Sequence, residues 1–322
     1  MADARLTDKK IVCLGGGVGT VNMLRGLKAY TTNITTIISM ADNGGSSGRL
    51  RRLYDVLPSG DLVSCMSAMS MQADVTQKLL TYRFPGERYG DDHELGGQKL
   101  GNLIMVALEE VTGSFEKAIQ TFQALFDVKG AFVPATQTHV DISAFTTEGK
   151  EIFGEETIDL GKYEGKRVLE RIVLHPSDAV ASPGAVESIM DADTILCGPG
   201  DLYTNLLPVL VVDGIKKALL ESTAKKIFIV NVANKPFETL GYYVEDYMSA
   251  IIRHLGSFPF GIVLTNSNIS VPIPSQYHYT YVTQKKEATS KEVTIVSEDL
   301  IDETFPLYHG SEKLAKTLVQ YI

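Results

Sequence analysis

The sequence predicts an α/β fold, a doubly wound, mainly parallel sheet with helices on both faces and a small β-rich excursion. Short apolar, β-branched runs alternate with amphipathic helical stretches in the first part of the chain and again after residue 185. These runs repeatedly end in Gly, Asn, Asp or Ser loops, while the helix C-termini show no such concentration. Short connections in a strand–helix–strand unit imply parallel strands and a right-handed crossover. The chain is read as one domain, 1–322, with the β-rich insertion at about 131–174.

Each element follows from its local pattern. Ile11-Val-Cys-Leu14 reads as a strand, 18–30 as a helix with Val21, Met23, Leu24 and Leu27 on one stripe, and Ile34 to Met40 as a strand. Residues 50–80 read as helical, broken at Pro58-Ser-Gly60, with Asp61 placed to cap the next helix. The glycine-rich, charged stretch 86–97 is a loop. Lys99-Leu-Gly-Asn102 then opens an apolar helix, and another spans 114–126. Short β-like pieces with turns at Glu148-Gly-Lys150 and Tyr163-Glu-Gly-Lys166 fill 131–174, as an excursion or a small subdomain. After these come a helix at 185–190, a strand at 193–197, a helix at 212–221 and a strand at 226–230. A helix at 244–255, a strand at 261–264 and a closing amphipathic helix at 312–322 complete the pattern.

Bulk properties exclude several functions. A formal charge of -9 argues against a sequence-independent nucleic-acid binder, which needs a basic surface. No run approaches the ~18 apolar residues of a membrane span. The first ten residues lack a secretory apolar segment, so a cytoplasmic location is expected. Cys13, Cys65 and Cys197 are too scattered for a disulfide framework or zinc site, and two of them fall in strand-like runs.

The loops after the strands carry the chemistry. Gly15-Gly-Gly-Val-Gly19 lies between a strand and a helix start, where backbone N–H groups and the helix dipole favour an anion. Its spacing fits neither the dinucleotide fingerprint nor a Walker loop. Ala41-Asp-Asn-Gly-Gly-Ser-Ser-Gly-Arg-Leu-Arg-Arg52 presents Asn43, Gly44, Gly45, Ser46 and Ser47 as donors. Arg49, Arg51 and Arg52 near a helix N-terminus call for a counter-anion, either a ligand phosphate or a carboxylate from elsewhere. Asp42 is read as a ribose, Mg²⁺ or acceptor-hydroxyl ligand, or as the acid of an Asx-turn. Gly198, Gly200 and Asp201 form a third loop, and Asn102, Asn231 and Asn234 are further candidates for ligand contact or for holding turns. Carboxyl ends of strands in a doubly wound sheet share one edge, so loops 15–20, 42–49, 198–204 and 231–236 are expected to converge on a phosphate-bearing ligand.

Together these segments resemble the family of 2-phospho-L-lactate transferase and the bacterial gluconeogenesis-factor proteins (CofD/YvcK-like). The resemblance is carried by Leu14-Gly-Gly-Gly-Val-Gly19, the 41–51 string, Leu57-Pro-Ser-Gly-Asp61, Tyr82-Arg-Phe84 and Leu100-Gly-Asn-Leu103. Ala192 to Thr204 and His309-Gly-Ser-Glu-Lys-Leu-Ala315 extend it over nearly the whole chain. The Gly-Gly-Ser-Ser-Gly-Arg-Leu-Arg string looks like the gluconeogenesis-factor branch. The resemblance implies a Rossmann-like fold, nucleotide-sugar binding of the UDP type, and a part in carbon metabolism, cell-wall synthesis and cell shape. For the transferase branch it implies a guanosine diphosphate donor and a divalent metal, with the acid after the second strand near the acceptor. That acid is Asp42 here, the catalytic and Mg²⁺-binding residue of the enzyme reading. Asn43 replaces a second acid, Val18 a threonine and Asp201 a serine, and Asn234-Lys-Pro-Phe-Glu-Thr239 replaces a Thr-Gln-Pro-Gly-Glu-Thr pattern.

The leading expectation is a nucleotide-sugar-binding metabolic regulator. The rival is a transferase moving a phospholactyl-type group from a nucleotide diphosphate donor to a hydroxyl acceptor. An NAD(P)-dependent dehydrogenase would need the intact dinucleotide glycine spacing. No nucleic-acid partner and no membrane span are expected, while a homo-oligomer and a regulatory protein partner stay open.

Overall fold

The computed structural model describes residues 6–164, 168–285 and 293–322. The chain opens with strand β1 (Ile11–Leu14), helix α1 (Gly17–Leu27) and strand β2 (Ile34–Ile38). All of β1 is buried, as a continuous apolar run in a parallel sheet covered on both faces should be. Helices α2 (Gly45–Tyr54), α3 (Gly60–Met69), α4 (Asp74–Leu80), α5 (Leu100–Thr112) and α6 (Phe115–Leu125) follow. The expected helical stretch 50–80 thus breaks twice, the second time where Ser70 turns extended and α4 restarts.

Strand β3 (Ala131–Pro134) pairs with β2, so it belongs to the main sheet and not to the β-rich insertion. The excursion proper is a three-stranded antiparallel sheet of β4 (Asp141–Thr146), β5 (Glu151–Phe153) and, after the short helix α7 (Glu155–Asp159), β6 (Leu169–His175). Gly165 and Lys166 of the expected turn lie outside the described residues. Helix α8 (Pro183–Met190) leads to β7 (Thr194–Cys197), a π-helical turn (Leu202–Leu206), α9 (Leu207–Leu210) and α10 (Asp213–Glu221). Strands β8 (Lys225–Ile229) and β9 (Ala233–Asn234), helix α11 (Val244–Leu255), strands β10 (Ile262–Asn266), β11 (Thr280–Tyr281) and β12 (Thr294–Glu298), and helix α12 (Ser311–Tyr321) complete the order.

The main sheet has seven parallel strands in the order β12-β10-β8-β7-β1-β2-β3, with helices around it. The first half of the chain builds outward from β1 through β2 and β3; the second half returns to β7 on the other side of β1 and builds away from it. Strand order therefore reverses between β1 and β7, and the loops leaving their carboxyl ends flank the crevice where such sheets bind ligands. Among the described residues, no helix is long and apolar enough to cross a membrane. Cys13, Cys65 and Cys197 are free and buried, and burial pushes their thiols up, as suits small core hydrophobes.

Candidate functional site

Helix α1 begins at Gly17 directly after β1, and its N-cap Gly16 offers no side chain to the first-turn N–H groups. Asp61 takes the Gly17 N–H, while Val18 and Gly19 line the rim, where their N–H groups suit an anion. Two glycines here are fixed by close approach. A Cβ on Gly16 would sit 2.5 Å from Asp61 Oδ2, and one on Gly19 would sit 2.5 Å from the Pro199 carbonyl oxygen. The two strand-end loops are thus pressed together across the switch point. Asn231 Oδ1 accepts from Gly200 N–H at 3.0 Å and fixes the second of them.

Two cavities open on this rim. The smaller, about 100 Å³, is walled by Gly16, Gly17, Gly19, Gly200 and Asn231, with Tyr279 and Tyr308 opposite. The larger, about 250 Å³, holds Asp42, Gly44, Asp61, Asp201 and Asn205 from the main fold. Arg88 and Tyr89 reach it from the 86–97 loop, and Glu155, Glu156 and Asp159 from α7 of the excursion. Gly17, Val18, Asp201, Asn205 and Lys235 line both.

The larger cavity is acidic. Asp42 accepts Gly44 N–H at 3.0 Å on one oxygen, so it does close an Asx-turn while also facing the crevice. Asp61 accepts from Asn205 Nδ2 at 2.8 Å. Burial, then the neighbouring Asp42 charge, push its carboxyl up to about 6 against the pull of Lys99. Burial and Asp42 also hold Glu155 well above the usual carboxylate range. Asn205 Oδ1 is buried with no hydrogen-bond partner.

A second acidic group sits at the same mouth. Asp159, Asp201 and Glu238 place carboxylate oxygens within 4.8 Å of one another. The Lys235 ammonium occupies their centre, 2.8 Å from Asp201, 3.8 Å from Glu238 and in hydrogen-bond contact with Asp159. Burial disfavours that ammonium, yet the three carboxylates outweigh it and hold Lys235 protonated. Glu238 accepts Tyr203 N–H at 2.9 Å and the Thr204 hydroxyl at 2.6 Å, which anchors the π-helical turn. Asp201 and Lys235, two separate departures from the family pattern in sequence, are one ion pair in space. The charge that Asp201 adds beside the rim is neutralised in place.

Several expected ligand contacts are spent on the fold instead. Arg49 is 1% exposed, and its guanidinium donates to the carbonyls of Gly96 (2.7 Å), Asp91 and Glu94. It clamps the 86–97 loop and lines neither cavity, so the anion expected beside it is replaced by backbone carbonyls. Arg51 and Arg52 find their counter-anions in Asp141 at 3.0 Å and Asp92 at 2.7 Å. Asn43 donates to Asp141 Oδ1 and accepts Glu156 N–H, tying the loop to the excursion. Ser46 donates to Gln98 Oε1 at 2.7 Å and accepts from Lys99 N–H and Asn102 Nδ2 in a buried network. Asn234 donates to the Tyr242 carbonyl and accepts from Tyr247 OH, and lines neither cavity. Gly15 and Gly198 face Leu206, Gly45 faces Arg88, and Ser47 packs against Gly60; none lines either cavity.

The crevice therefore gathers Gly16, Gly17, Gly19, Asp42, Gly44, Gly200, Asp201 and Asn231 from the expected set. It adds Asp61, Arg88, Glu155, Asp159, Asn205 and Lys235, to which the sequence assigned no ligand role. Asp61 was expected to cap the next helix; it lies in the first turn of α3 but makes no cap, since the N-cap is Ser59 and the Asp61 carboxylate is held by Asn205.

Comparison with known proteins agrees with this frame. A family profile described as 2-phospho-L-lactate transferase CofD matches residues 11–302. A putative gluconeogenesis factor from a Nostoc species is 38% identical over 97% of this chain and 68% of its own length. One from Thermoanaerobacterium thermosulfurigenes is 35% identical over 98% of both. The gluconeogenesis factor of Bacillus subtilis is 33% identical over 97% of this chain and 98% of its own. The crystal structure of a UPF0052-family protein from Bacillus halodurans superposes with a TM-score of 0.87 at 31% identity, covering 97% of this chain and 98% of that one.

Proposed function

The chain belongs to the CofD family, among proteins named as gluconeogenesis factors, and from that premise we propose that it binds a nucleotide-sugar of the UDP type at the β1/β7 switch point. The observation that carries this reading is the pair of glycine-bearing strand-end loops meeting across the point where strand order reverses. The pyrophosphate lies on the first-turn N–H groups of α1 and against the 199–201 loop. The base enters the smaller cavity, where Tyr279 and Tyr308 offer aromatic faces and Asn231 a polar edge. The sugar fills the larger cavity, because hydroxyl donors suit Asp42, Asp61 and Glu155 far better than another phosphate would. Binding makes the protein a metabolic regulator of carbon use, cell-wall synthesis and cell shape, acting in the cytoplasm.

The donor set fits Mg²⁺. Asp42, Asp61, Glu155 and the orphaned Asn205 Oδ1 are hard oxygen ligands beside the pyrophosphate position. When bound there, the ion neutralises phosphate charge. Asp159, Asp201 and Glu238 are a poorer set, because Lys235 already supplies their cation.

One observation favours the transferase reading as a second possibility: the Asp61 carboxyl, pushed up to about 6, suits a general base near neutral pH. In that reaction the acceptor hydroxyl oxygen attacks the phosphorus bearing the transferred group. The pyrophosphate P–O bond breaks, the nucleoside monophosphate leaves, and Asp61 or Asp42 takes the hydroxyl proton.

Titration calorimetry with a UDP-sugar, GDP, ADP and NAD, each with Mg²⁺, tests the binding. Saturable heat with the UDP-sugar supports the reading; heat only with NAD, or with none, rejects it. Chromatography of the same mixtures with a hydroxyl acceptor detects released nucleotide, which would promote the transferase reading.

A further inference from the structure

We propose that the cavity on the far side of Gly17 and Val18 from the glycine rim is a second ligand site, one that takes the phosphate group of a small phosphomonoester. This cavity of about 630 Å³ meets the crevice at Gly17, Val18, Asp61 and Arg88, and extends over α1, α3 and α4 to the start of α5. The proposal does not rest on the nucleotide reading.

Its lining is mainly cationic where the crevice is acidic, although Asp61 and Asp74 also line it. Arg25, Arg83, Arg88 and Lys99 line it, and among the described residues none of them forms an ion pair with a carboxylate. Lys78, the other cation there, is already paired with Asp74 at 2.5 Å. In a chain of net charge -9, a cavity lined by these four cations and the Lys78–Asp74 pair, with Asp61 as the remaining acid, is a local reversal of the bulk.

Their donors are only partly spent. Lys99 Nζ donates to the Gly60 carbonyl at 2.9 Å and to Ser64 Oγ at 2.8 Å, which leaves a third N–H for a ligand. Arg83 gives one nitrogen to the Gly97 carbonyl at 2.6 Å and keeps the rest of its fork. Arg25 reaches only Asn22, at 3.3 Å, and Arg88 lies over the Tyr89 ring. Burial lowers both Lys99 and Arg83, and the Arg88 charge lowers both further, with Arg83 adding to the effect on Lys99; the Asp61 and Asp42 carboxylates pull Lys99 the other way without cancelling it. A bound anion would relieve that crowding. Several converging cations match a dianion better than a carboxylate, and a guanidinium fork matches phosphate oxygens bidentately.

The opening at Asp61 gives the site a purpose. A phosphate anchored on Lys99 and Arg83 would direct the rest of its molecule toward the acidic cavity, where a nucleotide-linked group would lie. The occupant is thus either a co-substrate or an effector that senses crevice occupancy.

The test uses the intact chain and inorganic phosphate, with thermal unfolding read by circular dichroism at constant ionic strength. Phosphate should raise the midpoint saturably, and acetate should not. Lys99→Met and Arg83→Gln should each weaken apparent phosphate affinity roughly ten-fold or more, while Lys10→Met, remote from the cavity, should leave it unchanged. If Lys99→Met does not fold, Arg83→Gln alone decides. No midpoint shift with phosphate, an equal shift with acetate, or a shift that survives in the Arg83 variant overturns the proposal. A chain that binds no nucleotide but answers to phosphate through Arg83 upholds it and rejects the crevice reading instead.

Discussion

Replacing Lys235 with methionine removes the cation from the Asp159, Asp201 and Glu238 cluster and leaves three carboxylates within 4.8 Å of one another. Removing one partner of a fully buried ion pair costs about 3–5 kcal/mol. Here Glu238 is 1% exposed, but Asp159 and Asp201 are 22% and 38% exposed, so water screens part of the repulsion. The expected loss is therefore about 2–3 kcal/mol. At about 2.1 cal/mol/K of unfolding entropy per residue, a chain of this length should lose about 3–5 °C in its midpoint. Far-UV circular dichroism suits the measurement, since the chain contains no tryptophan.

The pH dependence supplies a sharper signature for the same variant. Burial, then the Asp201 charge, push Glu238 up to about 7, and Lys235 opposes them. A carboxyl raised in the folded state adds stability that is fully present below its ordinary value of 4.5 and is lost as pH rises through about 7. Without Lys235 the rise is larger, so the variant's deficit should be greater at pH 8 than at pH 5. Millimolar Mg²⁺ should recover part of it by replacing the lost cation. An unchanged midpoint, or a deficit equal at the two pH values, would refute the assignment of Lys235 as the internal counter-ion.

Three other outcomes are expected. Arg49→Ala should destabilise the chain and make the 86–97 loop an early site of limited proteolysis, because several carbonyls lose their shared donor; intact resistance to protease would count against the clamp. Gly19→Ala should abolish nucleotide heat in calorimetry while the chain stays folded, since its Cβ meets the Pro199 backbone at 2.5 Å and must push the rim apart; unaltered binding would mean the rim is not the phosphate seat. Asp61, raised to about 6, should contribute a stability component that falls as pH rises from about 4 to 6, and Asp61→Asn should flatten that part of the midpoint-against-pH curve.

Much of the architecture was legible because it follows from local pattern. β1, α1, β2 and β7 are continuous apolar or striped segments, and their strand-end glycine loops do meet at the switch point. β12 was missed because its short Thr294-Ile-Val-Ser-Glu298 run mixes polar with apolar residues and follows a polar stretch of sequence. The polar side chains of the second loop were read as ligand donors, but Asn43, Ser46 and Arg49 meet needs that arise only on folding. They hold the excursion, Gln98 and the carbonyls of the 86–97 loop.

Residue chemistry alone could not separate these uses, since a guanidinium serves a phosphate and a cage of carbonyls equally well. Glu155, Asp159 and Arg88 reach the crevice from the excursion and from a loop without regular structure, so no local spacing announces them. Asp201 and Lys235 did leave a signal. Each departs from the family pattern with a charge of opposite sign, and reading the two changes together would have paired them.

The seat of a bound pyrophosphate tests the nucleotide site most directly. A crystal structure of the chain with a UDP-sugar and Mg²⁺ should show both phosphoryl groups on the backbone N–H groups of Val18 and Gly19 and against the 199–201 loop, with the sugar toward Asp42 and Asp61. A pyrophosphate seated away from the β1/β7 crevice, in the cationic cavity over α3 and α4 or elsewhere, would contradict it.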